Sequence, residues 1–216
     1  MSAVMTIVER DCVHMITDAA IYDQDGVFLY NWQKTTPIPG VNAVFATRGP
    51  VFAFVAVLAA LQEFEFSNFD ELRRQIDEVA VKVDEILGND PFELIVAGWS
   101  DENDRGEVLF RQTHGSSMHR TEPGVTYLMG DRAGFGVAIA QKWNRDEVLA
   151  RFEEARAFRD DITCGRGEPI MGFSVGGKVW HAVVRPGVAP EFEILREWDD
   201  VPGEKINSRP ALPAAA

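Results

Sequence analysis

The first fifty residues carry short apolar runs broken by turn signals. Residues 3–8 and 12–16 are two such runs, and 27–32 is a third, entered through Asp23-Gln24-Asp25-Gly26, where glycine tolerates a positive φ. Residues 35–40 contain two prolines and read as a loop, because proline removes a ladder donor. Residues 41–47 form a fourth run, apolar enough to be buried on both faces. The period then changes. Gly49-Pro50 opens a helix over 51–64 that is apolar nearly all round, which predicts a helix sandwiched between layers. Ser67 or Asn68 caps a second helix, with Asp70 and Glu71 in its first turn and a single stripe of Leu72, Ile76, Val79, Val83 and Ile86; Gly88-Asn89 ends it.

Strand patterns return at 92–99 and 107–112, joined by the acidic turn 100–106. That turn offers carboxylates to a cation but lacks the ordered spacing and distal glutamate of a calcium loop, so a metal is not the reading adopted. Residues 125–129 predict another strand. Gly130, Gly134 and Gly136 stand at the wrong intervals for a dinucleotide-binding turn. A short helix is expected over 134–143. Asn144 caps a clearer one over 145–159, with Val148, Phe152 and Ala155 at the helical period. Residues 170–175 and 178–184 read as a hairpin around Gly176-Gly177, and 192–198 as a last edge strand. From Val201 onward Pro, Gly and Ala dominate. The expectation is one domain over 1–200 and a disordered tail over 201–216. Runs of strands and runs of helices are segregated, which indicates an α+β fold.

Composition narrows the function. The formal net charge of −13 disfavours nucleic acid and anionic membranes as partners, since phosphates repel it. The longest apolar run, 51–61, is too short to span a bilayer, and no basic stretch precedes an apolar run at the N-terminus, so no signal peptide is expected and the protein is read as cytoplasmic. The two cysteines, Cys12 and Cys164, make no disulfide framework, and Cys12 in a strand reads as a buried thiol. His114 and His119 lack a third ligand and read as surface residues. No cofactor and no metal site are implied.

The candidate chemistry lies near the start of the chain. Ser2 follows the initiator methionine, Asp18 stands sixteen residues further on and Lys34 sixteen beyond that. Serine is a weak nucleophile without a base. Small residues at the second position normally permit removal of Met1, and Ser2 would then carry its own base, an α-amine with an ordinary pKa of about 8. A nearby ammonium favours the unprotonated amine and a developing alkoxide, and a carboxylate beside it holds the ammonium in place.

These residues resemble a known family. The sequence is similar to the β-subunits of the proteasome and to the bacterial protease HslV, among the N-terminal nucleophile (Ntn) hydrolases, in which a terminal Thr is followed by Asp and Lys at the same intervals. Val4-Met5-Thr6-Ile7-Val8 resembles the first family strand and His14-Met15-Ile16-Thr17-Asp18 the second. The resemblance implies Ser2 as nucleophile with Asp18 and Lys34 in support. It implies an oxyanion-binding turn at Ala46-Thr47-Arg48-Gly49-Pro50, where Gly49 fits one residue out of place. A late Asp-x-x-Ser-Gly pattern is met by Asp161-Ile162-Thr163-Cys164-Gly165, and a register starting at Asp160 fits about as well. Three features depart from the family: Ser2 lacks the threonine methyl, the glycine turn is altered, and Asp131 stands where a later turn has a hydroxyl. Thr6 is an alternative nucleophile, requiring cleavage after Met5 and lying four residues too close to Asp18.

The resemblance further implies a four-layer αββα sandwich, self-association into a homo-oligomer of the ring-forming kind, and a peptide or amide substrate. Two functions follow. One is an Ntn-type amide hydrolase working through Ser2. The other is a proteasome-fold subunit that has lost its chemistry and serves assembly.

Overall fold

The computed structural model describes residues 3–88, 90, 92–111, 119–120, 127–129, 142–163 and 168–206. Fourteen strands and three helices lie among them. The strands are β1 (Val4–Val8), β2 (Val13–Asp18), β3 (Ala20–Tyr22), β4 (Phe28–Asn31), β5 (Thr36–Pro37), β6 (Ala43–Arg48), β7 (Glu93–Ser100), β8 (Arg105–Arg111), β9 (His119–Arg120), β10 (Tyr127–Met129), β11 (Asp160–Asp161), β12 (Met171–Gly172), β13 (Lys178–Val184) and β14 (Glu191–Glu197). The helices are α1 (Val51–Leu61), α2 (Phe69–Leu87) and α3 (Arg145–Ala157). The α+β class expected from the sequence is the class observed.

Two five-stranded sheets dominate, ordered β10-β1-β2-β13-β14 and β5-β6-β7-β8-β9. The pairs β1–β2, β2–β13 and β13–β14 are antiparallel, as are β6–β7 and β7–β8. Alternation along the strands sorts their side chains between cores. Val4, Val8, Val13 and Met15 of the first sheet meet Val44, Ala46, Ile95 and Ala97 of the second in one core. Phe45, Leu94 and Val96, on the other face of the second sheet, pack with Ala53, Val57, Leu72 and Val79 of α1 and α2. Met5, Ile7 and Ile16, on the other face of the first sheet, pack with Val148 and Phe152 of α3.

The helices start as their caps dictate. Asn68 Oδ1 accepts from Glu71 N at 2.9 Å, and Asn144 Oδ1 accepts from Asp146 N and Glu147 N. Arg111, fully buried, ties the second sheet to α2 by donating to Ala80 O at 3.0 Å and pairing with Asp84. Glu102 of the acidic turn and the adjoining Glu107 are paired from within the protein. Glu102 pairs with Arg73 and Arg74, and Glu107 with Arg73 and Arg105.

Three expectations need correction. The α1 helix is not covered all round. Ala53, Ala56, Val57 and Ala60 face the core, while Val51, Phe52 and Val55 are about half exposed. An all-apolar helix cannot report which face its own chain leaves open. The hairpin around Gly176-Gly177 does not form either. Within the described residues β12 pairs with β11, whereas β13 lies between β2 and β14. The Gly-Gly step instead presents its two amides to Asp18 and Asp200. Third, residues 201–206, assigned to a tail by composition, pack on the domain. Phe28 N donates to Glu204 O at 2.8 Å, and Ile206 is buried with Ala20 and Phe28. The helix expected over 134–143 falls outside the described residues except at its end.

Candidate functional site

The antiparallel β1–β2 pair has two functional-looking ends. At one end stand Ala3 and Asp18; at the other, Glu9, Cys12 and His14. His14 and Asp18 share a face of β2 with Ile16, the face turned to α3.

Asp18 is fully buried and its carboxylate is surrounded by donors. Oδ1 accepts from Ala3 N at 2.9 Å. Oδ2 accepts from Lys34 Nζ at 2.9 Å, Ala20 N at 3.1 Å and Gly176 N at 3.4 Å. A buried charge requires such compensation. The Lys34 side chain is itself nearly buried. The loop after β4 that carries Lys34 is anchored beside this corner by Thr35, whose Oγ1 lies 3.2 Å from Thr17 Oγ1.

The backbone amide of Gly176 is presented by a support that sequence reading missed. Asp200 accepts from Gly177 N at 2.7 Å and is gripped by both guanidinium nitrogens of Arg156, at 2.7 and 2.8 Å. A side chain on Gly176 would place its Cβ 2.6 Å from Asp200 Oδ2, and Gly177 has φ +74°. The Gly-Gly signal was visible. Its reading as a hairpin turn concealed that the two amides serve two carboxylates.

Of the residues singled out from sequence, Asp18 and Lys34 are therefore in contact, with the backbone of residue 3 joined to them. Ser2 lies outside the described residues, as do Met1 and Asp131. Gly49 stands between β6 and Pro50 with φ +124°, a backbone region that favours glycine. Asp161 Oδ1 accepts from Thr163 N at 2.9 Å, Thr163 Oγ1 at 2.6 Å and Ile170 N at 3.3 Å, all in its own loop. Asp160 begins β11 opposite Gly172. Thr6 sits in mid-strand between Met15 and Tyr127, and its buried hydroxyl has no hydrogen-bond partner among the described residues. Alternation turns Thr6 toward the core between the sheets, with Val4 and Val8, and away from the Asp18 face.

The other end of the strand pair holds a cluster that sequence spacing did not announce. Cys12 Sγ lies 3.2 Å from His14 Nε2 and 3.7 Å from Glu9 Oε2, and His14 Nε2 lies 3.5 Å from the same carboxylate oxygen. His14 Nδ1 is 2.8 Å from His181 Nε2, and His181 Nδ1 is 2.9 Å from Glu193 Oε1. Trp143 stacks on both imidazoles, at 4.8 and 4.0 Å between centroids, and its amide donates to Glu9 Oε1 at 2.6 Å. Burial lowers the His14 pKa to about 4, helped by the neighbouring His181 charge, and burial also lowers that of His181. Burial, with the charges of Asp11 and Glu9, raises the Cys12 thiol to about 11. Burial pushes the Glu9 carboxyl up, but the Trp143 amide and His14 outweigh it and leave it below its ordinary value. A cavity of about 530 Å³ opens over these groups.

No protein-family model matches the sequence, and no curated protein matches it. Solved structures match its shape. A Gly-1 mutant of Anbu from Hyphomicrobium sp. strain MC1 superposes with a TM-score of 0.66 at 13% identity, over 92% of this chain and 88% of that one. Anbu from Yersinia bercovieri, described as an ancestral β-subunit, gives 0.62 at 10% identity over 93% and 88%. Anbu from Pseudomonas aeruginosa, solved as a helical assembly, gives 0.63 at 14% over 93% and 88%. The chain shares the fold of Anbu. That fold is HslV- and proteasome-β-like, so the Ntn-hydrolase resemblance read from the N-terminal spacing holds at the level of backbone arrangement. At these identities the likeness to Anbu carries fold, while catalysis must be argued from this chain's own residues. Among the described residues no helix is long and apolar enough to cross a membrane.

Proposed function

We propose that this chain is a cytoplasmic, proteasome-like Ntn amide hydrolase, acting on a peptide or another amide, with Ser2 as nucleophile once Met1 is removed. One observation carries the reading. The amide of Ala3, one residue after Ser2, donates to Asp18 Oδ1 at 2.9 Å while Asp18 Oδ2 holds Lys34 Nζ at 2.9 Å. The backbone at Ala3 is thus tied to a buried carboxylate–ammonium pair. We infer also that the three separate cores belong to a four-layer αββα sandwich, with α1 and α2 outside one sheet and α3 outside the other.

In this mechanism Ser2 Oγ attacks the amide carbonyl carbon and its proton passes to the Ser2 α-amine. The α-amine returns that proton to the departing amine, leaving an acyl ester that water hydrolyses. Lys34 supplies positive charge toward the developing alkoxide, Asp18 fixes Lys34, and the backbone N–H groups near Gly49 receive the oxyanion. Asp161 would brace the site from its own loop. The experiment is covalent labelling with a serine-directed probe. Labelling is expected at Ser2 and is abolished in Ser2→Ala and Lys34→Ala; labelling that survives both substitutions contradicts the assignment.

A second reading retains the fold without the chemistry, as an assembly subunit. The altered glycine turn, with Arg48 ahead of Gly49, favours it. Self-association belongs to both readings and rests on exposed apolar surface. Val51, Phe52 and Val55 of α1 are open, and so are Leu29, Tyr30 and Trp32 near β4. Trp32 meets Phe54 of α1 edge-on at 5.7 Å, so the two patches are continuous. Light scattering is expected to give a homo-oligomer, ring-shaped or helical, that Phe52→Lys reduces to a monomer.

A further inference from the structure

The Glu9–Cys12–His14 cluster is independent of the Asp18 corner and has the chemistry of a metal site. With both imidazoles uncharged, as their burial favours, hydrogen-bond direction fixes the tautomers. The Glu193 carboxylate only accepts, so His181 Nδ1 carries the proton there. His181 Nε2 then accepts from His14 Nδ1–H. This leaves His14 Nε2 as a lone pair aimed at Cys12 Sγ and Glu9 Oε2. Among the described residues those three atoms share a single proton, that of the thiol, although each offers a lone pair to the same point. One proton cannot bridge three mutually facing acceptors, whereas one cation can.

The distances agree. Zn–S of about 2.3 Å with Zn–N and Zn–O of about 2.0–2.2 Å gives tetrahedral donor-to-donor edges of about 3.3–3.6 Å. The observed edges are 3.2, 3.5 and 3.7 Å. Movements of a few tenths of an ångström would close the site. The surrounding contacts match those that orient metal ligands elsewhere: the second ring nitrogen of His14 is engaged by the His181–Glu193 relay, and Glu9 Oε1 is held by the Trp143 amide so that Oε2 faces inward. A thiolate and a carboxylate balance a divalent charge, and Arg185 on the same cavity wall, which opposes a cation, is itself paired with Glu191. The overlying cavity has room for a fourth ligand drawn from solvent.

We propose that Glu9, Cys12 and His14 bind a divalent ion of the zinc class, with a thiolate, an imidazole and a carboxylate as ligands. On binding, the Cys12 S–H bond breaks, the proton leaves to solvent and Sγ bonds the ion, with no change of oxidation state. Uptake therefore strengthens as pH rises. The turn between β1 and β2 creates the site, folding the Glu-x-x-Cys-x-His spacing onto itself.

The test titrates the reduced full chain with Co²⁺. The expected result is one equivalent bound, with thiolate-to-cobalt charge-transfer absorption in the near ultraviolet that Zn²⁺ displaces. Cys12→Ala abolishes the band and Cys164→Ala retains it. Glu9→Gln, at a partly buried position outside the hydrophobic cores, weakens binding by about 100-fold, and Glu193→Gln weakens it by about 10–100-fold. Absence of the band, a band lost in Cys164→Ala, or unchanged affinity in Glu9→Gln overturns the proposal. Ser2→Ala is expected to bind cobalt as the unsubstituted chain does, so failure here and failure of the hydrolase reading are separable.

Discussion

The two ends of β2 solve the problem of buried polar groups in opposite ways. Asp18 and His14 lie on the same face of one strand, about 13 Å apart at the usual strand rise. At the Asp18 end the carboxylate meets three amides and an ammonium, and donors and acceptors balance. At the His14 end a thiol, an imidazole lone pair and a carboxylate face one another with a single proton between them among the described residues. The difference teaches what each end is prepared for. The first is a finished electrostatic support that holds the amide of Ala3. The proposed divalent ion would complete the second.

The largest effect is expected from breaking the finished end. Lys34→Met leaves the Asp18 charge without its cation and should cost about 3–5 kcal/mol in urea unfolding, the usual loss for one partner of a buried pair. Cys12→Ala, at the incomplete end of the metal-free protein, should cost only about 1 kcal/mol, because it removes a thiol contact and unpairs no charge. Equal costs would mean that the two ends do not differ as described. Gly176→Ala comes next. Its methyl group would press on Asp200 and displace an amide from Asp18, at about 1–3 kcal/mol, again by urea unfolding.

A smaller effect sharpens the comparison with Asp70, a buried carboxylate that, like Asp18, is supplied with donors. Burial pushes the Asp70 carboxyl up, but hydrogen bonds from Ser100 Oγ at 2.6 Å and Glu102 N at 3.1 Å, with the Arg73 charge, outweigh it. Its pKa therefore lies below the ordinary aspartate value of 3.8. The unfolded chain binds the proton more readily, so this group's contribution is complete above that value and is lost as pH falls through the folded pKa. Asp70→Asn should flatten the acid limb of stability against pH; an unchanged slope would contradict the assignment.

These regions were unequally legible in the sequence. Asp18 and Lys34 stood out because a fixed interval carries over between chains that thread the same fold. The helix caps Asn68 and Asn144 were readable because their chemistry is local. Gly176 was seen and misassigned, since its partner Asp18 lies 158 residues away and no local pattern encodes that contact. The metal-type cluster was missed for a related reason. Glu9, Cys12 and His14 are close in sequence, but only the reversal between β1 and β2 brings their side chains to one point, and His181 arrives from β13. The open face of α1 could not be read because its outward residues are as apolar as its inward ones.

The central claim is that a serine at the start of the chain, with a free amine, meets the Asp18–Lys34 pair. Intact-mass spectrometry of the purified full chain tests it most directly. A mass one methionine residue below that of the encoded sequence is the predicted result. A retained Met1 would leave Ser2 without its base and contradict the account.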